Sequence, residues 1–166
     1  MIDPLTKVLF DEANFAASLS PDPSTQTGAV LHDRTMVIGR GHNGFPDGVD
    51  EKHWAGPKEC KYARVVHAEV AAILNAVRTG HGNFVYGSRM YAPWAACSNC
   101  AKHIAYAGVS RLYRLNFLAN GVDESSPWYE DCLVGDEILG EAGVEIIEID
   151  DYVSPVRLRR NGALWP

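Results

Sequence analysis

Arg89-Met90-Tyr91-Ala92-Pro93-Trp94-Ala95-Ala96-Cys97-Ser98-Asn99-Cys100-Ala101-Lys102-His103-Ile104-Ala105 decides how the rest of this chain is read. Arg89 to Ala92 has the composition of a short strand, and Ser98 to Ala107 that of a helix, so two cysteines bracket the start of that helix. Unbonded N–H groups and the positive helix end favour thiolates there. Upstream, His67-Ala68-Glu69 opens a second helix. One imidazole and two thiolates make a soft N/S donor set suited to Zn2+, and three protein ligands leave a fourth tetrahedral position open. Glu69 is not needed as a ligand and is placed to handle protons beside that position.

Each piece alone has a plainer reading. A single CxxC also serves as a redox dithiol or as half of a structural zinc site, and a histidine on a helix face is usually packed or solvated. A structural zinc needs a fourth strong ligand, and the chain has no second CxxC and no HxxxH. A thioredoxin-like dithiol would sit in an early strand–helix unit, whereas this one comes late and follows HxE. Together the two pieces favour a hydrolytic metal site with His67, Cys97 and Cys100 as ligands.

Working outward, 166 residues suit a single domain, 1–166, able to bury about two thirds of its unfolded surface. The composition, 46% hydrophobic and 22% charged, is ordinary for a globular protein. Met1-Ile2-Asp3-Pro4 carries no basic region followed by an apolar run, and no stretch approaches membrane-span length. Four cysteines, two of them claimed by the motif, do not make a disulfide framework, so a cytoplasmic protein is expected. A net charge of −6 disfavours a broad phosphate-binding surface. A small-molecule substrate is expected, with no membrane partner and no nucleic acid.

The remaining elements alternate. A first helix runs from Asp3 to Ser18, with Leu5, Val8, Leu9, Glu12 and Phe15 at helical spacing, and the prolines at 21 and 23 lead into a loop from Ser20 to Thr27. Strands follow at Gly28 to His32 and Met36 to Gly41, joined at Asp33-Arg34. Asn43 to about Lys61 reads as long and irregular, a length usually functional or mobile. The second helix spans His67 to Thr79, with Val66, Val70, Ile73, Leu74 and Val77 as its expected buried stripe. Val109 to Leu115 and Val144 to Ile149 read as strands around a helix from Trp128 to Glu141.

On these residues the chain resembles the deoxycytidylate (dCMP) deaminase family of the cytidine deaminase-like superfamily. HxE followed by CxxC is the zinc-deaminase signature. The likeness is carried by Pro21-Asp22-Pro23-Ser24-Thr25-Gln26-Thr27-Gly28-Ala29-Val30, Gly41-His42-Asn43-Gly44-Phe45-Pro46-Asp47-Gly48-Val49, His67-Ala68-Glu69 and Cys97-Ser98-Asn99-Cys100-Ala101-Lys102. It covers roughly Leu5 to Leu115. The resemblance implies an α/β protein, a three-layer α/β/α arrangement with a five-stranded mixed sheet, one zinc, and conversion of dCMP to dUMP. It implies that Asn43 contacts the sugar, that Ser24 lies near sugar or phosphate, and that the family's homo-oligomers, hexamers or smaller, are to be expected. The Ala68 N–H, in the first turn of its helix, is placed to bind the pyrimidine carbonyl.

Departures from the family pattern are local. Ala96 stands where the family usually has proline, Pro93 where it usually has threonine, and His42 where it has tyrosine. His42 falls in a segment that contributes to triphosphate regulation in some members, so that regulation is not carried over. Asn43 also suits a turn, and Trp94 suits either a base-stacking wall or a core position. Cys60 reads as a loop or core thiol, the alternative being a second, structural zinc with His53 or His42. Trp128 and Tyr129 read as core or interface residues, Cys132 as a buried small residue, and His81 and His103 as surface. The segment carrying Arg157, Arg159 and Arg160 up to Pro166 reads by default as a solvated tail, with contact to a neighbouring subunit or a phosphate as the alternative. Other cytosine substrates, a tRNA or single-strand deaminase, and a non-catalytic nucleotide-binding subunit are the competing functions. An intact Glu69 and the acidic balance weigh against the last two.

Overall fold

A computed structural model of the chain describes residues 2–116 and 124–165; Met1, Pro166 and residues 117–123 lie outside the described residues. In chain order the elements are α1 (Pro4–Ser18), β1 (Gly28–His32), β2 (Val37–His42), α2 (Lys58–Tyr62), α3 (Ala68–Arg78), β3 (Arg89–Tyr91), α4 (Ser98–Tyr106), β4 (Arg111–Leu115), α5 (Tyr129–Glu141), β5 (Glu145–Ile149), β6 (Leu158–Arg160) and β7 (Ala163–Trp165). Strands β1 to β5 form one mixed sheet in the order β2-β1-β3-β4-β5. Pairing is antiparallel from β2 through β1 to β3 and parallel from β3 to β5.

The sheet separates two apolar clusters, as the expected three-layer arrangement requires. On one face Leu9, Phe10 and Ala13 of α1 pack with Val30, Tyr91 and Tyr113. On the other, Ala68, Ala72, Ile73 and Ala76 of α3, Cys100, Ala101 and Ile104 of α4 and Leu139 of α5 pack against Leu31, Met90 and Leu112. Asp3 caps α1, its carboxylate accepting the Thr6 N–H at 3.0 Å, and Pro4 occupies the first turn, where its missing N–H costs nothing.

Small side chains set how near the layers come. A Cβ on Gly41 of β2 would lie 2.3 Å from the Ala68 carbonyl oxygen, so only glycine admits α3 this close. Helix α3 therefore turns its alanine face to the sheet, and the expected stripe is corrected: Leu74 is 50% and Val77 57% exposed, while Val66 and Val70 are half-buried. Helix α1 behaves alike. Leu9 is buried, but Leu5, Val8 and Phe15 face solvent.

Two other expectations change. The stretch from Asn43 to Lys61 holds a one-turn 3-10 helix at Glu51–Trp54 and the short α2, organised by Phe45 stacked on Trp54 at 3.8 Å between ring centroids. Elements of one turn are too short to show a period. The tail is not a loose segment. Asn161 and Gly162, both at positive φ (51° and 81°), turn β6 into β7, the geometry that favours Asn-Gly in two-residue hairpins. This hairpin docks on the 20–27 loop: the Gln26 N–H donates to the Arg159 carbonyl at 2.9 Å, the Arg159 N–H to Gln26 Oε1 at 3.0 Å, and the Gly162 N–H to the Ser24 carbonyl at 2.9 Å.

Candidate metal centre and active site

His67 caps the start of α3 and Cys97 that of α4, so the two helix N-termini converge. His67 Nδ1 lies 3.4 Å from Cys97 Sγ and 3.3 Å from Cys100 Sγ. All three donor atoms fall within 4.8 Å of one another, and they are the one such group of three among the described residues. Bonds of ~2.3 Å to sulfur and ~2.0 Å to nitrogen at tetrahedral angles would put N and S about 3.6 Å apart, close to the distances present. The electrostatics fit a dication as well. The Cys97 thiol is lowered to about 4, chiefly by the hydrogen bond from Cys100 and then by His67, while the bond to Cys97 and burial push Cys100 up. Two adjacent thiols resist ionising together, and a metal ion removes that conflict. The residues present therefore fit zinc.

Glu69 is buried in the first turn of α3, with Oε2 3.5 Å from Cys100 Sγ. Desolvation raises its carboxyl pKa, opposed by His67. The Cys97 thiolate, through its hydrogen bond, raises His67. Ala68, buried, is the first residue of α3, so its N–H belongs to the unbonded first turn.

Helix α5 holds the cysteine loop in place. Asp131 accepts from Ser98 Oγ at 2.6 Å and from the Ser98 N–H at 3.3 Å, capping α4 from outside its own chain segment. Gly135 lets α5 approach; a Cβ there would sit 2.2 Å from the Ala96 carbonyl oxygen. Trp128 is 37% exposed rather than in the core, and its ring meets His67 edge-on at 6.0 Å and Tyr62 at 5.5 Å. Tyr62, Asp131 and Trp128 had no motif to mark them.

The segment carrying Asn43 is tied to the one that leads into His67, because Gly44 pairs with Val66, both backbone N–H groups donating across the bridge. The Asn43 side chain turns to the 20–27 loop. Its Oδ1 accepts the Thr27 N–H at 2.8 Å, and its Nδ2 donates to Asp22 Oδ2 at 3.0 Å and the Thr25 carbonyl at 2.8 Å. Asp22, nearly fully buried, also receives the Ser24 and Thr25 N–H groups and pairs with Lys61 at 2.7 Å. Asn43 thus shapes the loop carrying half-buried Ser24. Asp22 lies inside the Pro21 to Val30 motif, but its partner Lys61 carries no signal in the sequence. Trp94 is elsewhere: its ring lies under the Arg160 guanidinium at 4.5 Å, on a cavity of about 280 Å³ beneath the hairpin.

Cys60 is half-buried on α2 and joins no ligand group among the described residues, and Cys132 is buried with its thiol pushed up to about 12 by burial. His103 is exposed and His81 half-buried. No helix among the described residues is long and apolar enough to cross a membrane.

Comparison with known proteins agrees with this geometry. The family described as cytidine and deoxycytidylate deaminase zinc-binding region matches residues 5–115. An uncharacterized deaminase in the luxG 3′ region of Aliivibrio fischeri is 34% identical over 146 residues, 88% of this chain and 94% of that protein. Human deoxycytidylate deaminase is 33% identical over 121 residues, 69% of this chain and 66% of that protein. The apo crystal structure of the dCMP deaminase from cyanophage S-TIM5 superposes with a TM-score of 0.68 over 90% of this chain and all of that chain, at 22% identity, which shows the shared cytidine deaminase-like fold. With the three zinc-type donors and Glu69 converging inside the matched region, the chain belongs to the cytidine and deoxycytidylate deaminase family.

Proposed function

We propose that this chain hydrolyses dCMP to dUMP and ammonia as one deaminase domain spanning residues 1–166. The observation that carries the reading is the joining of His67 Nδ1, Cys97 Sγ and Cys100 Sγ, with the buried Glu69 carboxylate beside Cys100. Identity of about a third to deoxycytidylate deaminases supports dCMP as substrate. His67, Cys97 and Cys100 hold the zinc, which when bound supplies Lewis-acid activation of water.

The protein's own groups do the rest. Glu69 Oε2 takes a proton from the attacking water and passes it to the pyrimidine ring nitrogen. It then moves a second proton to the leaving amino group, so that a C–O bond replaces the C4–N bond and ammonia departs. The Ala68 N–H binds the pyrimidine carbonyl. Asn43 orients the sugar and fixes the loop that brings Ser24 toward sugar and phosphate, with Trp94 bounding the far end of the nucleotide. Four cysteines without a disulfide among them support a cytoplasmic setting. The exposed Leu5, Val8, Phe15, Leu74 and Val77 support a homo-oligomer, which sedimentation would measure.

The test is loss of cytosine absorbance when zinc-loaded protein meets dCMP, CMP, deoxycytidine or 5-methyl-dCMP separately. Turnover of dCMP well above deoxycytidine is expected; silence on all four overturns the reading.

A further inference from the structure

The hairpin β6–β7 lies outside the region the family matches, yet it sits on the loop that carries Ser24. Arg159 is its most constrained charge. Its backbone is bonded on both sides to Gln26, itself 5% exposed, and its Nε donates to the Asp22 carbonyl at 3.1 Å. Among the described residues its Nη1 and Nη2 carry no hydrogen bond and no ion pair. Lys61 of α2, which also reaches this loop, is neutralised by Asp22 at 2.7 Å. Asp150 lines the same cavity as Arg159 without pairing to it.

The bonded contacts link the groups in one chain. The metal ligand His67 is joined across the Gly44–Val66 bridge to Asn43, Asn43 to Asp22 and Thr25, and Asp22 to Arg159. A nucleotide with its base at the metal ligands and its sugar at Asn43 runs toward that guanidinium. Arginine presents a fork of donors matched to phosphate oxygens. Resting on the deaminase reading, we propose that Arg159 of the C-terminal hairpin binds the 5′-phosphate and makes this chain select nucleotides over nucleosides.

The experiment is calorimetric binding of dUMP and of deoxyuridine to zinc-loaded wild type, Arg159→Gln, Arg159→Lys and Arg157→Gln, the last an exposed arginine outside the cavity. Arg159→Gln is expected to weaken dUMP by about 10- to 100-fold and leave deoxyuridine unchanged, with partial recovery in Arg159→Lys and no effect in Arg157→Gln. Equal weakening of both ligands would assign Arg159 to holding the loop only, and unchanged dUMP affinity would remove it from recognition; either overturns the proposal. Turnover of dCMP by wild type reports the deaminase reading separately. Turnover with unaltered dUMP affinity in Arg159→Gln sinks the hairpin assignment alone, whereas a wild type that neither turns over dCMP nor binds dUMP sinks both.

Discussion

The metal end of the site and its hairpin end are built in opposite ways. At the metal end the donors come from two helix N-termini, 30 and 33 residues apart in the chain, and each tripeptide or tetrapeptide motif delivers its side chains by local geometry. At the hairpin end the 20–27 loop is held by Gln26 and Arg159, 133 residues apart, and by Asn43 and Lys61 from two further segments. The first end is specified by residue type at fixed spacing and tolerates little change. The second is specified by backbone hydrogen bonds and one buried ion pair, so its parts can fail singly while the metal centre stands.

The largest break comes from Cys97→Ala. It should abolish metal binding and turnover together and lower the melting temperature, because metal affinity is linked to folding; metal analysis and thermal unfolding read this directly. Glu69→Gln should keep both metal and melting temperature while turnover falls by about 10² to 10⁴-fold, the usual contribution of a positioned acid–base group. That pair divides ligand from proton carrier within one end of the site.

At the other end, Asp22→Ala should cost about 3 kcal/mol in chemical denaturation. It leaves Lys61 without its carboxylate and the Ser24 and Thr25 N–H groups without an acceptor. Metal content should remain at the wild-type level. The smallest effect is expected for Gly162→Ala, which forces a side chain to φ 81° and should destabilise by about 1 kcal/mol, a few degrees in melting temperature. If either of these variants lost metal, the two ends would be one cooperative unit and the contrast would fail.

Much of the fold is legible in the amino-acid sequence. The five strands of the main sheet and the helices α1, α3, α4 and α5 follow from runs long enough to show a period or a cap. Which face of α1 and α3 is buried did not follow. Hydrophobicity points to Leu5, Val8, Leu74 and Val77, but close approach across Gly28 and Gly41 selects the alanines instead. Trp128 is a similar case: nothing in its neighbourhood announces that it meets His67 edge-on.

The amino-acid sequence by itself determined the metal donors, the carboxylate beside them and the family, because ligand chemistry needs few residue types at short, fixed intervals and a helix start presents them. Only the tertiary structure decided that the C-terminal arginines form a docked hairpin rather than a loose tail. The Asn161-Gly162 turn is a local signal, but its docking partner is the carbonyl and amide pattern of a loop more than 130 residues away. Such pairing depends on how two backbones come to lie together, which no local run of side chains encodes.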